Sequence, residues 1–362
     1  MTDRPPLVSD PDALTPGWLT AALAAAGLAR GARVVRVERR RVGTGQVAMN
    51  VRCLLDWDRA EDGLPRSVVV KLPSDDPVSR ATGAAQQIYR KEVEFYRQVA
   101  ATVGIRTPHC WLTDIDDPGE RFFLLMEDVT PAEQGDQLTG CRLEQAALAL
   151  DELAKLHAPR WGDPTLAELA FLADPAADRA ALMQALCTAV WPGFRERYEA
   201  RLAPELLAVA ERFVPRVGAW VAGTEGPLTV IHGDYRLDNM LFGTGAGAPP
   251  LAVVDWQTVA RGLGTADASY FLGAGLLVDD RRAHEAALLR GYWDALRARG
   301  VGDYSWDTCW RDYRRTAFAG LLMAIVASMI VVQTPRGDDM FMAMASRHAQ
   351  QALDLGSESL LV

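Results

Sequence analysis

Apolar positions along this chain fall into blocks of two different periods. Between Trp18 and Leu28 they suit a helix, with Thr15 as N-cap and Pro16 at the first helical position, and the pattern predicts a helix over about 15–28. Residues 33–42 alternate, 51–57 supply a hairpin partner, and Ser67–Pro73 is the next predicted strand. A helix over 84–100 follows, then an apolar strand from Phe122 that stops at Glu127 and Asp128. From Leu143 the period returns to that of a helix through Ala147, Leu150, Leu153 and Leu156, ending at His157. Short strand-like runs begin at Val230 and Leu251, with 243–250 read as the turn before the second. The run 316–335 carries no charge and reaches the length of a membrane span. Gly320, Ser328, Gln333 and Thr334 dilute it, so 317–332 is predicted as a core helix. The apolar stretch after Trp18 follows acids and prolines instead of a basic region, which argues against a signal peptide.

The two short runs carry the chemistry. One continues as His232-Gly233-Asp234-Tyr235-Arg236-Leu237-Asp238-Asn239, and the other ends in Asp255-Trp256-Gln257. Phosphoryl transfer from ATP needs one Asp to accept the proton of the attacking hydroxyl, and an Asn and a second Asp to hold magnesium. Mg²⁺ binds through one or two carboxylates and substrate phosphate, so this sparse set is sufficient. Protein kinases write the segment H-R-D-x-x-x-x-N and D-F-G; here Gly233 replaces the Arg and Trp256-Gln257 the Phe-Gly.

H-G-D-x-x-x-x-N with D-W resembles the aminoglycoside phosphotransferase and choline kinase superfamily. The wording HGDYRLDNMLF and VVDWQ is closest to its bacterial ecdysteroid-kinase-like branch, and the resemblance runs from about Arg33 to about Leu272. It implies an α+β, bilobal protein-kinase-like fold. An N-terminal ATP-binding lobe with an antiparallel sheet and helix would span 1–127, and a larger, mainly helical catalytic and acceptor-binding lobe 128–362. ATP and Mg²⁺ are the implied cofactors. Asp234 is the implied base, with Asn239 and Asp255 as metal ligands. His232 is implied to support the loop, and Asp267 to tie the following helix to it.

Further assignments rest on the same resemblance. Gly43, Thr44, Gly45 and Gln46 stand where a glycine-rich hairpin lets backbone amides approach phosphates. Lys71, in Val68-Val69-Val70-Lys71, matches the phosphate-gripping lysine, with Glu92 as its partner and Glu94 as the alternative. Glu127, Asp128 and Val129 fall where the backbone reads the adenine edge. Arg236 is read either as a cation near the transferred phosphoryl group or as a surface salt bridge. Asp238 is unassigned, and His157 is expected at a helix end beneath the catalytic loop.

Composition narrows the alternatives. At 362 residues two lobes or domains are expected. A hydrophobic share of 49% and a charged share of 23% are ordinary for a soluble protein, and a net charge of −9 argues against nucleic acid as partner. Five scattered cysteines suggest neither a zinc site nor a disulfide framework and fit a reducing cytoplasm. The stretch after Asp255 lacks A-P-E, which argues against a protein kinase. The expected partner is a small hydroxylated acceptor, with no membrane or nucleic acid. Acids interleaved with Arg, as in Arg195-Glu196-Arg197, do not favour an aminoglycoside. A nucleotide-binding pseudokinase acting as an interaction module is the competing class.

Overall fold

The structure, a computed structural model, describes residues 4–43, 47–173 and 176–361. The chain divides into two compact units. Met1–Ala100, Thr107–Glu133 and Gly243–Gln257 form the first; Ala101–Arg106, Gln134–Phe242 and Thr258–Val362 form the second.

The first unit is built on an antiparallel sheet of β1 (Val34–Val42), β2 (Ala48–Trp57), β3 (Ser67–Pro73), β4 (Cys110–Ile115) and β5 (Phe122–Glu127), in the order β1-β2-β3-β5-β4. Alternation assigns its two faces. Val51, Cys53, Leu55, Val68, Val70 and Leu72 pack with Trp18, Leu19 and Leu23 of helix α1 (Pro16–Ala25). The opposite face, with Ala48, Leu124 and Met126, packs with Tyr89 and Val93. β5 is buried along almost its whole length because both faces are covered, which explains its unbroken Phe-Phe-Leu-Leu-Met. Each such fully buried side chain contributes roughly 1.5–3 kcal/mol.

α1 is opened as expected, with Thr15 Oγ1 accepting from Trp18 N at 3.2 Å, but it closes at Ala25, before Gly27 at φ +76°. The helix expected over 84–100 is not continuous. α2 (Pro77–Ala85) ends first, Gln87 turns left-handed at φ +58°, α3 (Ile88–Glu94) restarts, and Phe95–Val99 closes in a π turn. Packing overrides helix propensity here. Tyr89 stacks on Phe122 at 4.5 Å and presses so closely on α2 that a Cβ at Gly83 would lie 2.5 Å from its ring.

The second unit is helical: α4 (Leu143–His157), α5 (Ala176–Tyr198), α6 (Pro204–Phe213), α7 (Val217–Ala222), α8 (Gly264–Gly275), α9 (Val278–Ala298), α10 (Trp306–Thr316), α11 (Phe318–Ile330) and α12 (Pro335–Asp354). A two-stranded ribbon pairs Thr229–Ile231 with Ala260–Gly262. In α8 every residue but Ala266 is buried, so it forms the unit's inner strut. His348 wedges between helices, where a Cβ at Gly273 or Gly320 would collide with its ring. α11, shorter than the predicted 317–332, buries Phe318, Leu321, Ala324, Ile325 and Ser328 in the core shared with α5, α6 and α12. Among the described residues, only the span Trp306–Ile330 is long and apolar enough to cross a membrane, and 56% of its most apolar window is buried.

Candidate active site

In the first unit, three of the residues singled out from the sequence meet at one ammonium group. Period 2 turns Lys71 away from α1 and toward α3, and its register neighbours Asn50 and Leu124 place it in the middle of the sheet. Its Nζ lies 2.7 Å from Glu92 Oε2, 2.9 Å from Glu92 Oε1 and 3.0 Å from Asp255 Oδ1. Lys71 and Glu92 are 4% and 1% exposed, so neither charge could be kept without the other. Burial alone would push the Lys71 ammonium down, but the Asp255 and Glu92 carboxylates outweigh it and hold the group above its ordinary value. Burial pushes Glu92 up, against the pull of Lys71. Glu94 points elsewhere and pairs with Arg97 at 3.0 Å.

Asp255 has φ +67°, the left-handed region that Asp tolerates better than most residues. The next residue holds it there. Trp256 is fully buried, stacks on Phe95 with centroids 3.9 Å apart, and donates through Nε1 to Thr107 Oγ1 at 2.9 Å. Its backbone N–H donates to Glu92 Oε1 at 3.3 Å. The Asp255 side chain keeps 33% exposure.

The three residues expected at the adenine edge divide. The Glu127 N–H donates to the His109 carbonyl at 2.8 Å, and its carboxylate accepts from His109 N at 3.0 Å, so that N–H is committed to the sheet. Asp128 accepts from Ser67 Oγ at 2.7 Å and Arg52 Nε at 3.0 Å, which ties its carboxylate to β2 and β3. Val129 is buried. Gly43 closes β1 at φ +77°; Thr44, Gly45 and Gln46 lie outside the described residues.

The second unit organises the loop after Ile231. Asp267 on α8 accepts the N–H groups of His232 and Gly233 at 2.6 and 2.9 Å. His157 Nε2 stands 3.3 Å from the same carboxylate, and its Nδ1 is 2.8 Å from the Tyr292 hydroxyl. His232 is fully buried, and its Nδ1 accepts from Asp234 N at 3.2 Å. Gly233 adopts φ +81°, and a Cβ there would stand 2.5 Å from the Thr258 carbonyl oxygen. The departure from the protein-kinase Arg is therefore steric. Tyr235 anchors the loop to α4 by donating to Ala149 O at 2.7 Å.

Asp234 and Asn239 are joined through the tight turn Leu237–Asn239. Asn239 Nδ2 donates to Asp234 Oδ2 at 3.0 Å and to its carbonyl at 2.9 Å. With the amide nitrogen so used, the amide oxygen is the atom suited to a metal. Arg236 Nε spans both Asp234 oxygens at 3.1 and 3.0 Å, and Nη1 pairs with Asp238. Arg236 is half-buried and paired within the loop, with its side chain 20% exposed. Burial opposes its charge, but Asp234 and Asp238 raise its pKa further. Asp238, unassigned from the sequence, is 6% exposed and also accepts from Arg336 at 3.2 Å.

Sequence reasoning missed Tyr270, whose hydroxyl donates to Asp234 Oδ1 at 2.6 Å. A signal was present, since Tyr270 follows Asp267 by three positions and so shares its helix face. Of the large aromatic residues in the helical unit, Phe194, Tyr198, Tyr292 and Tyr313 are core, while Trp191, Trp220, Trp293, Trp306 and Trp310 are half-buried.

The sequence profile of the ecdysteroid kinase-like family matches residues 48–299. The fold is similar to that of choline kinase from Cryptosporidium parvum Iowa II, with TM-score 0.56 and 10% identity over 96% of this chain and 94% of that one. It is also similar to a Ralstonia eutropha JMP134 protein assigned as an aminoglycoside phosphotransferase, with TM-score 0.51 and 16% identity over 91% and 97% of the two chains. No curated protein sequence matches. At these identities the solved structures show the fold alone, but the profile spans well over half of the chain. The chain belongs to the ecdysteroid kinase-like family, within the superfamily of kinase-like folds that includes aminoglycoside phosphotransferases and choline kinases.

Proposed function

We propose that the protein transfers the γ-phosphoryl group of ATP, with Mg²⁺, to a hydroxyl of a small molecule. The observation that carries this reading is Lys71 held between buried Glu92 and partly exposed Asp255. A buried ammonium with one carboxylate to neutralise it and a second reaching toward solvent is costly unless it serves an anionic ligand and its counter-ion. The donor set fits magnesium. Asp255 and Asn239 offer hard oxygens, and among the described residues no group of three or more His, Cys, Asp or Glu forms a self-sufficient metal site. A sparse set of that kind suits an ion that arrives with phosphate.

ATP supplies the phosphoryl group, and Mg²⁺ offsets the charge on its phosphates. Lys71 holds the phosphates, with Glu92 fixing its position. Gly43–Gln46 supplies backbone donors, and the backbone of Glu127–Val129 faces the base through groups other than the Glu127 N–H. Asn239 and Asp255 hold the metal. Asp234 takes the proton of the acceptor hydroxyl, and Arg236 steadies charge spreading over the transferred oxygens. By this reading residues 1–127 serve the nucleotide and 128–362 the acceptor and the chemistry. The five cysteines are unpaired, which supports a reducing, cytoplasmic setting. The family name and a half-buried Trp set favour a ring-bearing or otherwise apolar hydroxylated acceptor over a polycationic one.

The test is a screen of hydroxylated metabolites with purified protein, ATP and Mg²⁺, following ADP release and product mass. One acceptor whose mass rises by a phosphoryl group, in wild type and not in Asp234→Asn, is the expected result. Nucleotide binding without transfer to any compound would instead favour an interaction module.

A further inference from the structure

A general base must present its carboxylate in one orientation, and a carboxylate turns easily about its terminal torsion. Arg236 does little to prevent that turn, because Nε lies almost equally far from both Asp234 oxygens, at 3.1 and 3.0 Å. Two other donors distinguish the oxygens. Asn239 Nδ2 binds Oδ2 at 3.0 Å, and the Tyr270 hydroxyl binds Oδ1 at 2.6 Å. Asn239 belongs to the loop itself, while Tyr270 belongs to α8, the most deeply buried helix of the unit.

We propose that Tyr270 is a positioning residue for Asp234, fixing the plane of its carboxylate for the acceptor hydroxyl; this rests on the reading of Asp234 as the base. α8 then sets the loop twice from one helical face. Asp267 holds the backbone through the N–H groups of His232 and Gly233, and one turn later Tyr270 holds the side chain. The phenol is itself held. Tyr270 is 4% exposed, lies in the core with Phe318 and Met344, and meets the His348 ring with centroids 5.5 Å apart. His348 fits there because Gly273 and Gly320 have no Cβ. Burial, followed by the charge of Asp234, pushes the phenol well above its ordinary value, so it stays protonated and acts as a donor. In the transfer step the acceptor's O–H bond breaks, its oxygen bonds to phosphorus, ADP leaves, and the released proton goes to Asp234. Tyr270 keeps its own proton throughout.

The test is a double-mutant cycle of wild type, Tyr270→Phe, Asp234→Asn and the double variant. ADP release from ATP and Mg²⁺ is measured with water and with a hydroxysteroid as acceptors. Tyr270→Phe should lower kcat by about 10–100-fold, the value of one hydrogen bond to a charged group, with KM for ATP within about twofold of wild type. The double variant should be no slower than Asp234→Asn, because the phenol acts only through that carboxylate. A wild-type kcat for Tyr270→Phe, or a loss that multiplies in the Asp234→Asn background, overturns the proposal. Should Tyr270→Phe lose its fold, 3-fluorotyrosine at 270 keeps shape and hydroxyl. It should retain kcat within about threefold, and a Phe-like loss would count against the proposal. Wild-type kcat in Asp234→Asn would separately overturn the base assignment.

Discussion

Asn239 donates to the carboxylate of Asp234 at 3.0 Å, so the residue assigned to the metal and the residue assigned to the proton hold each other in place. The five-residue spacing between them is spanned by the turn Leu237–Asn239, which brings the amide back to the acid. On the proposed roles, metal binding and proton transfer would be coupled through one hydrogen bond.

This coupling shapes the outcome at Asp234. Asp234→Asn keeps the size of the side chain but removes the proposed base, so turnover should fall by about 10²–10⁴-fold while ATP affinity stays nearly unchanged. Steady-state kinetics with the identified acceptor, together with ATP titration by calorimetry, would check both halves. Lys71→Ala should behave differently. It weakens ATP use and leaves Glu92 buried without its cation, so its melting temperature should also drop.

Ligand linkage gives a second expectation. On the proposed function, ATP with Mg²⁺ should bind the folded protein alone and stabilise it by about 2.7 kcal/mol at a hundredfold excess over Kd. ATP with EDTA should give a smaller shift. Asp255→Ala should remove the difference between the two conditions, which a thermal melt would read directly.

His348 makes stability depend on pH. Burial, which outweighs its contact with Gln351, lowers its pKa from 6.5 to about 4, and Arg281 and Arg347 push it the same way. Between those values the unfolded chain takes up a proton that the folded protein refuses, so stability falls as pH falls through that window. The loss attributable to this group is about 3 kcal/mol. Carboxylates with lowered pKa, such as Asp354, add to the acid loss. The His348 share is therefore the difference in slope between wild type and His348→Gln in denaturant melts from pH 7 to pH 4. Equal slopes would remove His348 as the cause.

α11 is tested by a buried charge. Ile325 is fully buried, and Ile325→Asp should cost several kcal/mol out of the roughly 5–15 typical of a domain. Fold and ATP binding should be lost together. Membrane partitioning of wild type, with a soluble, ATP-binding Ile325→Asp form, would contradict a core role for this helix.

Much of the site was legible because its pieces are local. Alternation along β3 places Lys71 opposite the α1 face, and the five-residue step from Asp234 to Asn239 is closed by one turn. What escaped was set by packing between distant segments. The break at Gln87 follows from Tyr89 pressing on α2, which no propensity encodes. Asp238 meets Arg336 across 98 positions, and Tyr270 reaches Asp234 across 36, each from a helix whose placement against the loop no period reveals. Asp128 is assigned through its backbone alone, and the tie of its carboxylate to Arg52 of β2 is a further long-range contact that no period reveals.

The obstruction above Gly233 has an evolutionary consequence. The atom that bars a side chain there is the backbone oxygen of Thr258, so no replacement at position 258 can make room. Acquiring the arginine through which protein kinases respond to a phosphorylated loop would require the main chain around 258 to shift. A single substitution at 233 therefore meets main chain and not a side chain that could be trimmed, which bars the simplest route to the arginine of phosphorylation-controlled kinases.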